Sequence, residues 1–323
     1  MALRLTLLAA LLGLALAAPA AAPAAPLEPV EVGIADQKAD MFADERFAEL
    51  GIRHARLIVG WDALDSDYQV EQIDAWLASA RERDVEPLIT FGHSRTERRS
   101  LPTPGRFKYE FRRFRERYPW VRNFATWNEA NHCGEPTCNR ARLVAAYYRA
   151  LRQECGECTI LAAEMLDTPN ATRWVGEFRR HLGFTPGRWG LHNYVEANRF
   201  RSMRLRALLR AIPGAKLWLT ETGGLVRRRN RSTTDIPEGT AHAGEVTRFI
   251  FDRLLIENPR ITRVYLYHWN APREEELTWD SALVAPSGEI RSSMLVLQRV
   301  LREGLRPGAD FRSPRARSRS SAR

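Results

Sequence analysis

The chain has 323 residues, 44% hydrophobic with nine tryptophans, and carries a net charge of +10 at neutral pH. That suits one large domain with its own core. Half of the excess charge sits in Arg312–Arg323, which holds five arginines and no acid. No nucleic-acid recognition motif accompanies it, so the charge does not make the chain a nucleic-acid binder. Only Lys38, Lys108 and Lys216 are lysines among 49 basic residues, a bias that weakens the reading of any single arginine.

Residues 1–20 read as a signal peptide: Arg4 opens it, Leu5 to Leu16 is the apolar stretch, and Ala18-Pro19-Ala20 offers a small-x-small cleavage site. The alternative, a membrane anchor, needs a longer apolar run. Residues 21–29 form an Ala/Pro-rich linker. Strand-like runs then recur at Val30 to Ile34, His54 to Val59, Glu86 to Phe91, Asn123 to Thr126, Thr159 to Ala163, Arg188 to Leu191, Lys216 to Thr220 and Arg263 to Tyr267. Between them lie helix-like stretches. Phe42 to Leu50 ends at Gly51, a residue suited to a helix C-terminus. Val70 to Arg83 presents Ile73, Trp76, Leu77 and Ala80 on one face, and Phe107 to Tyr118 presents Phe107, Phe111, Phe114 and Tyr118. Asn139 to Gln153 carries Leu143, Ala146, Tyr147 and Ala150. Ala241 to Glu257 keeps the same period, as does Glu289 to Arg302 through Ile290, Met294, Leu297 and Leu301. Strands alternating with helices predict a parallel sheet. Eight units over residues 30–305 predict a single-domain α/β (β/α)8 TIM barrel. The other candidate, an open doubly wound sheet, would want a Gly-rich turn after the first strand, where Gly33-Ile34-Ala35-Asp36 stands. Residues 306–323 read as a basic disordered tail.

Cys133, Cys138, Cys155 and Cys158 allow disulfides or zinc; export favours disulfides. If Asn139 to Gln153 is a helix, the two pairs stand roughly 22 Å apart. A disulfide needs Cα atoms within about 7 Å. Pairing is then local, Cys133 with Cys138 and Cys155 with Cys158, and one shared zinc is excluded.

Two strings carry the chemistry. Trp127-Asn128-Glu129-Ala130-Asn131 follows the fourth strand, and Glu221-Thr222-Gly223-Gly224 follows the seventh. In such a barrel, working residues gather at the C-terminal strand ends. Two carboxylates there could flank a glycosidic bond, one protonating the leaving oxygen and the other attacking the sugar carbon. Arg56, His93, His192, Tyr194 and Trp269 end other strands, and Glu164 follows the fifth as a third acid, in a subsite or a salt bridge.

In these residues the chain resembles the clan A glycoside hydrolases, the superfamily of cellulases, xylanases and β-xylosidases, over roughly Val30 to Leu305. The resemblance implies a retaining β-glycosidase with Glu129 as general acid/base and Glu221 as nucleophile. Asn128 matches the amide that binds the sugar 2-hydroxyl, and Arg56 the arginine bonded to the nucleophile. Tyr194 is similar to the strand-six tyrosine near that carboxylate, and His192 to its polar neighbour. Trp269 matches the aromatic floor of the reacting subsite, and His93 a variable strand-three position. Arg56 should lower the pKa of Glu221, while Glu129, lacking a cation, should have its own raised. No cofactor or metal is called for. The expected partner is an oligo- or polysaccharide, with neither nucleic acid nor, after signal cleavage, a membrane. Arg95, Arg98, Arg99, Arg227, Arg228, Arg229 and Arg231 in the loops after strands three and seven would suit an anionic glycan. The competing reading is a non-catalytic carbohydrate-binding TIM barrel.

Overall fold

The computed structural model describes residues 30–229 and 236–305. The signal peptide, the linker, the tail and Arg231 lie outside the described residues. Eight parallel strands follow one another: Glu31–Ala35, His54–Gly60, Glu86–Gly92, Asn123–Ala125, a fifth in two halves, Thr159–Leu161 and Glu164–Leu166, then Arg188–His192, Lys216–Thr222 and Ile261–Tyr267. The first strand pairs with the second and the eighth, and pairing continues round in both directions. The circuit closes within the fifth strand, whose first half pairs with the fourth and whose second half pairs with the sixth. Ala162 and Ala163 join the halves. This is the closed (β/α)8 barrel that the alternation of elements predicts.

Alternation along each strand separates two cores. Ala35, Leu88, Ala125, Leu161, Trp218 and Tyr265 fill the barrel interior. Their neighbours Ile34, Ile89, Phe124, Ile160, Leu219 and Val264 face the helices. Helices Asp67–Glu82 and Pro104–Arg117 start at Ser66 and Thr103, whose hydroxyls accept from Gln69 N and Arg106 N. Their buried faces include the residues expected. In Ala141–Glu154 the buried face is turned slightly, with Val144, Ala145, Tyr147, Tyr148 and Leu151 inside and Leu143 only partly covered. In Ser292–Glu303 the buried residues are Ser293, Met294, Leu297 and Val300, while Ile290 and Leu301 are exposed. Ile290 precedes the helix, so the expected stripe starts a turn too early. Helices Ala171–Leu182 and Met203–Ala211 are additional. A glycine inside the first (Gly176) and the shortness of the second dilute their sequence signal.

Both disulfides form as expected, Cys133–Cys138 with Cα atoms 4.7 Å apart and Cys155–Cys158 with 5.4 Å. They bracket helix Ala141–Glu154. The first ties the loop that follows Glu129. Among the described residues no helix is long and apolar enough to cross a membrane.

Candidate active site

Toward the C-terminal end of the barrel, strands two, four, five, six and seven turn charged groups toward one another. Arg56 from strand two is fully buried. Its Nε donates to Glu164 Oε1 at 2.8 Å and to Thr90 Oγ1 at 3.2 Å, and its Nη2 donates to Glu164 Oε2. Nη1 donates to Glu221 Oε2 at 3.1 Å, and Nη2 also reaches Asn128 Oδ1 at 2.9 Å. Burial works against the Arg56 charge, but the Glu164 and Glu221 carboxylates outweigh it and hold the guanidinium protonated. Glu164, open between two roles in the sequence, is a salt-bridge partner here. It is fully buried beneath the site and also accepts from Thr90 Oγ1 at 2.9 Å. Gly190 on strand six gives it room, since a Cβ there would lie 2.7 Å from Glu164 Cγ. Burial would raise the Glu164 pKa; Arg56 and His192 reverse that and hold it down at about 2.

Glu221, on strand seven, accepts from Arg56 and, through Oε1, from the Tyr194 hydroxyl at 3.1 Å. Tyr194 opens the short helix Tyr194–Ala197 just past strand six. Glu129 sits beyond strand four in the left-handed backbone region, φ +42°. Such a conformation costs a residue with a side chain about 1–2 kcal/mol. Backbone bonds around it fix the turn: Asn128 N to Phe91 O at 2.7 Å, Ala130 N to Glu164 O at 2.9 Å and His132 N to Glu129 O at 2.8 Å.

His192 connects the two acids. Its Nδ1 lies 3.1 Å from Glu129 Oε1 and 3.5 Å from Glu221 Oε2, and its Nε2 lies 3.5 Å from Glu164 Oε2. One nitrogen touching both oxygens keeps them less than about 7 Å apart, near the spacing of a double-displacement pair and at the lower edge of an inverting one. Burial disfavours the imidazolium, but Glu221, Glu129 and Glu164 together lift its pKa to about 9.

The expected rise in the Glu129 pKa is overturned. Burial does push it up, yet hydrogen bonds from His132 and His192 outweigh burial and pull it well below the usual carboxylate range. The cation that Glu129 lacks in the strand pattern is His132, whose Nδ1 lies 3.3 Å from Glu129 Oε2. Its one signal was its place three residues on, which a turn brings back to the glutamate.

Trp269 also needs correction. It is wholly buried, its Nε1 donates to Asp44 Oδ2 at 3.0 Å and its ring meets the edge of Phe47. A side chain so enclosed packs the barrel wall and offers no face to a sugar. The aromatic groups on the open side are Tyr267, half-buried at the end of strand eight, and Trp279. Tyr194 meets them edge-on at centroid distances of 6.4 and 4.9 Å. Trp279 belongs to a small antiparallel ladder, Arg227–Arg228 with Trp279–Asp280, standing over strand seven. His93 lies on the rim, with Nδ1 2.8 Å from Glu135 Oε1; Glu135 Oε2 accepts from Trp127 Nε1 at 3.2 Å. The loop arginines divide. Arg227 and Arg229 are drawn to Glu274 and Arg228 to Glu238. Arg98 and Arg99 line a hollow of about 540 Å³ beside Cys133, Gly134, Glu135 and Pro136.

No protein-family model matches the chain, and no protein of curated function does. Solved structures do match. Xylanase 10B from Thermotoga maritima superposes over 85% of this chain and 95% of its own, with a TM-score of 0.59 and 10% identity. The endo-1,4-beta-xylanase XylE of Penicillium canescens covers 85% of this chain and 94% of its own, with TM-score 0.61 and 11% identity. Its structural neighbours are clan A glycoside hydrolases. A third, the alpha-L-arabinofuranosidase from Thermotoga maritima, covers 86% of this chain and 71% of its own, with TM-score 0.62 and 11% identity. The likeness is one of fold. These neighbours differ among themselves in the glycan named for them, so they fix no substrate.

Proposed function

We propose that the protein is an exported retaining β-glycosidase, with Glu221 as nucleophile and Glu129 as general acid/base. The observation that carries this is the paired carboxylates at the ends of strands four and seven. They share His192 Nδ1, and Glu221 alone of the two is bound by Arg56 and Tyr194. An arginine and a phenol on Glu221 fix its orientation. Attack by Glu221 on the anomeric carbon forms a glycosyl ester as the leaving oxygen takes a proton from the Glu129 side; water activated by Glu129 then hydrolyses the ester. Asn128 spends its carbonyl oxygen on Arg56, so its amide N–H groups are the donors left for a sugar hydroxyl. Tyr267 and Trp279 supply ring faces for sugar C–H groups. Residues 1–20 would direct export, and two disulfides suit an oxidising compartment.

The substrate is an oligo- or polysaccharide. If it is anionic, Arg98 and Arg99 are the side chains placed to read it, because Arg227 and Arg228 are paired with the carboxylates of Glu274 and Glu238, and Arg229 donates to the Glu274 backbone carbonyl. The competing reading, a carbohydrate-binding barrel without turnover, would not need a charge-tuned acid pair.

The test is hydrolysis of a panel of aryl β-glycosides and polysaccharides, with the first-formed anomer followed by proton NMR. Glu221→Gln should abolish turnover. Glu129→Ala should spare substrates with activated leaving groups and be rescued by azide. Net inversion would sink the mechanism. Azide rescue at Glu221→Gly with inverted product would exchange the two roles. Glycan binding without any hydrolysis would favour the competing reading.

A further inference from the structure

Glu129 is held in a way that separates its two duties. As base in the second half of the reaction it must be ionised; as acid in the first half it must deliver a proton. Each of its oxygens faces a different imidazole, Oε1 toward His192 and Oε2 toward His132. Two such donors stabilise the carboxylate, so the proton needed at the start has to rest elsewhere. The two histidines are unequal stores. His192 is wholly buried among Glu129, Glu164, Glu221 and Arg56, and its charge neutralises the acids around it. His132 has a side chain 46% exposed, able to exchange its proton with water. Its loop is built to present it. His132 N closes a turn on Glu129 O, Glu135 N bonds His132 O, and the Cys133–Cys138 disulfide follows at once. Gly134 leaves space for the ring, since a Cβ there would sit 2.8 Å from His132 Cε1.

We propose that the proton destined for the leaving oxygen is stored on His132 Nδ1 and reaches that oxygen through Glu129. The inference rests on Glu129 being the acid/base. In the first step the bond from the anomeric carbon to the leaving oxygen breaks as Glu221 bonds that carbon. Glu129 gives a proton to the departing oxygen and takes the Nδ1 proton of His132. In the second step the proton released by water returns to Glu129 and then to His132, so the cycle is neutral. The charged groups facing His132 are Glu129 and Glu135, which favour its imidazolium, and Arg98, which opposes it. The hydrogen bond to Glu129 leads the causes that raise its pKa.

The experiment has two arms. The first needs no turnover: the imidazole nitrogens of His132 are titrated by NMR in the wild type and in Glu129→Gln. His132 should titrate above the usual histidine range and fall by about one pH unit or more when the carboxylate becomes an amide. An ordinary titration that ignores Glu129→Gln overturns the proposal, whatever the enzyme's activity. The second arm compares kcat/KM against pH for wild type and His132→Asn. For an aryl glycoside with a poor leaving group, the variant should lose at least about tenfold, and its alkaline limb should move to lower pH. A dinitrophenyl glycoside should lose little. If His132 only placed Glu129 or lowered its pKa, its removal would leave the alkaline limb where it was or move it to higher pH, and that result refutes the store. Should Glu129→Gln fail to discriminate between leaving groups, the acid/base reading itself falls, which the His132 data alone would not show.

Discussion

Replacing Glu164 with glutamine separates the two roles that the sequence leaves open for this acid. The change keeps the shape and removes one charge from a fully buried site. Arg56 Nε stands 2.8 Å from Glu164 Oε1. At that distance, and at an effective dielectric constant near 20, the gross attraction is roughly 6 kcal/mol. Part of it only offsets the cost of burying the carboxylate, and the glutamine oxygen keeps one acceptor. Measured losses on breaking buried pairs run about 3–5 kcal/mol. For a domain of this size that lowers Tm by about 2–4 °C per kcal/mol. The loss should shrink as pH rises. His192, whose pKa stands at about 9 beside three carboxylates, would lose one of them and give up its proton at lower pH. A folded-state pKa raised above the unfolded one contributes stability below the unfolded value of 6.5 and loses it as pH rises through the folded value. Glu164→Gln lowers that folded value, so the stability it removes through His192 is largest near pH 6 and smaller at pH 8.5. Thermal melts at pH 6 and pH 8.5, beside KM on the best glycoside found, read both effects. An unchanged Tm with a steep rise in KM would refute the salt-bridge role and place Glu164 in a subsite.

Four further outcomes follow from the same geometry. Trp269→Ala should cost about 3–5 kcal/mol of stability with KM little changed in the fraction that folds, while Tyr267→Ala should act mainly on KM; a KM effect from Trp269→Phe at constant Tm would restore Trp269 to the subsite floor. Arg98→Gln with Arg99→Gln should raise KM for an acidic polysaccharide and flatten its salt dependence, and an unchanged KM on the best substrate would end the anionic reading. Buried Asp167 has its pKa raised to about 7 by desolvation, so its contribution favours folding below pH 4 and is lost as pH rises through 7. Asp167→Asn should therefore gain on the wild type between pH 5 and pH 8, by up to roughly 3 kcal/mol; parallel pH curves in urea unfolding would contradict it. Stopped-flow assays with a phenyl glycoside should show no burst of phenol, and a stoichiometric burst would show that deglycosylation limits instead.

The barrel was legible because its information is local. Apolar runs of strand length, helix faces such as Phe107, Phe111 and Phe114, and glycine after a helix at Gly51 each act through neighbours in the chain. The meeting of Arg56, Asn128, Glu129, His192, Tyr194 and Glu221 was legible only through the strand ends, which the barrel forces together. Groups placed by loops were not. His132 gains its contact through a turn of three residues, and no periodic pattern marks it. Trp269 lies two residues beyond the end of strand eight, where the chain bends under the face, so counting along the strand exchanged it for Tyr267. The Glu129 expectation failed for the same reason. It counted no cation beside that carboxylate and left out the imidazoles of His132 and His192.

The His192 imidazole changes the logic of the acid pair. Two carboxylates this close would ordinarily share a proton, because both cannot ionise. Here Arg56 and His192 face Glu129, Glu164 and Glu221, and His132 adds a third positive group at the rim. The cluster can be neutral with every carboxylate ionised. The arrangement suits the second half of the proposed reaction, where Glu129 must act as a base. Once Glu221 is tied up in an ester, one negative charge is gone and the remaining cations favour the Glu129 carboxylate further. The first half bears the difficulty, since the proton must be drawn out of an ion pair and handed to a weakly basic oxygen. Cleavage of unactivated bonds should then limit turnover, and the reserve at the rim would matter most for natural glycans, whose leaving groups are poor.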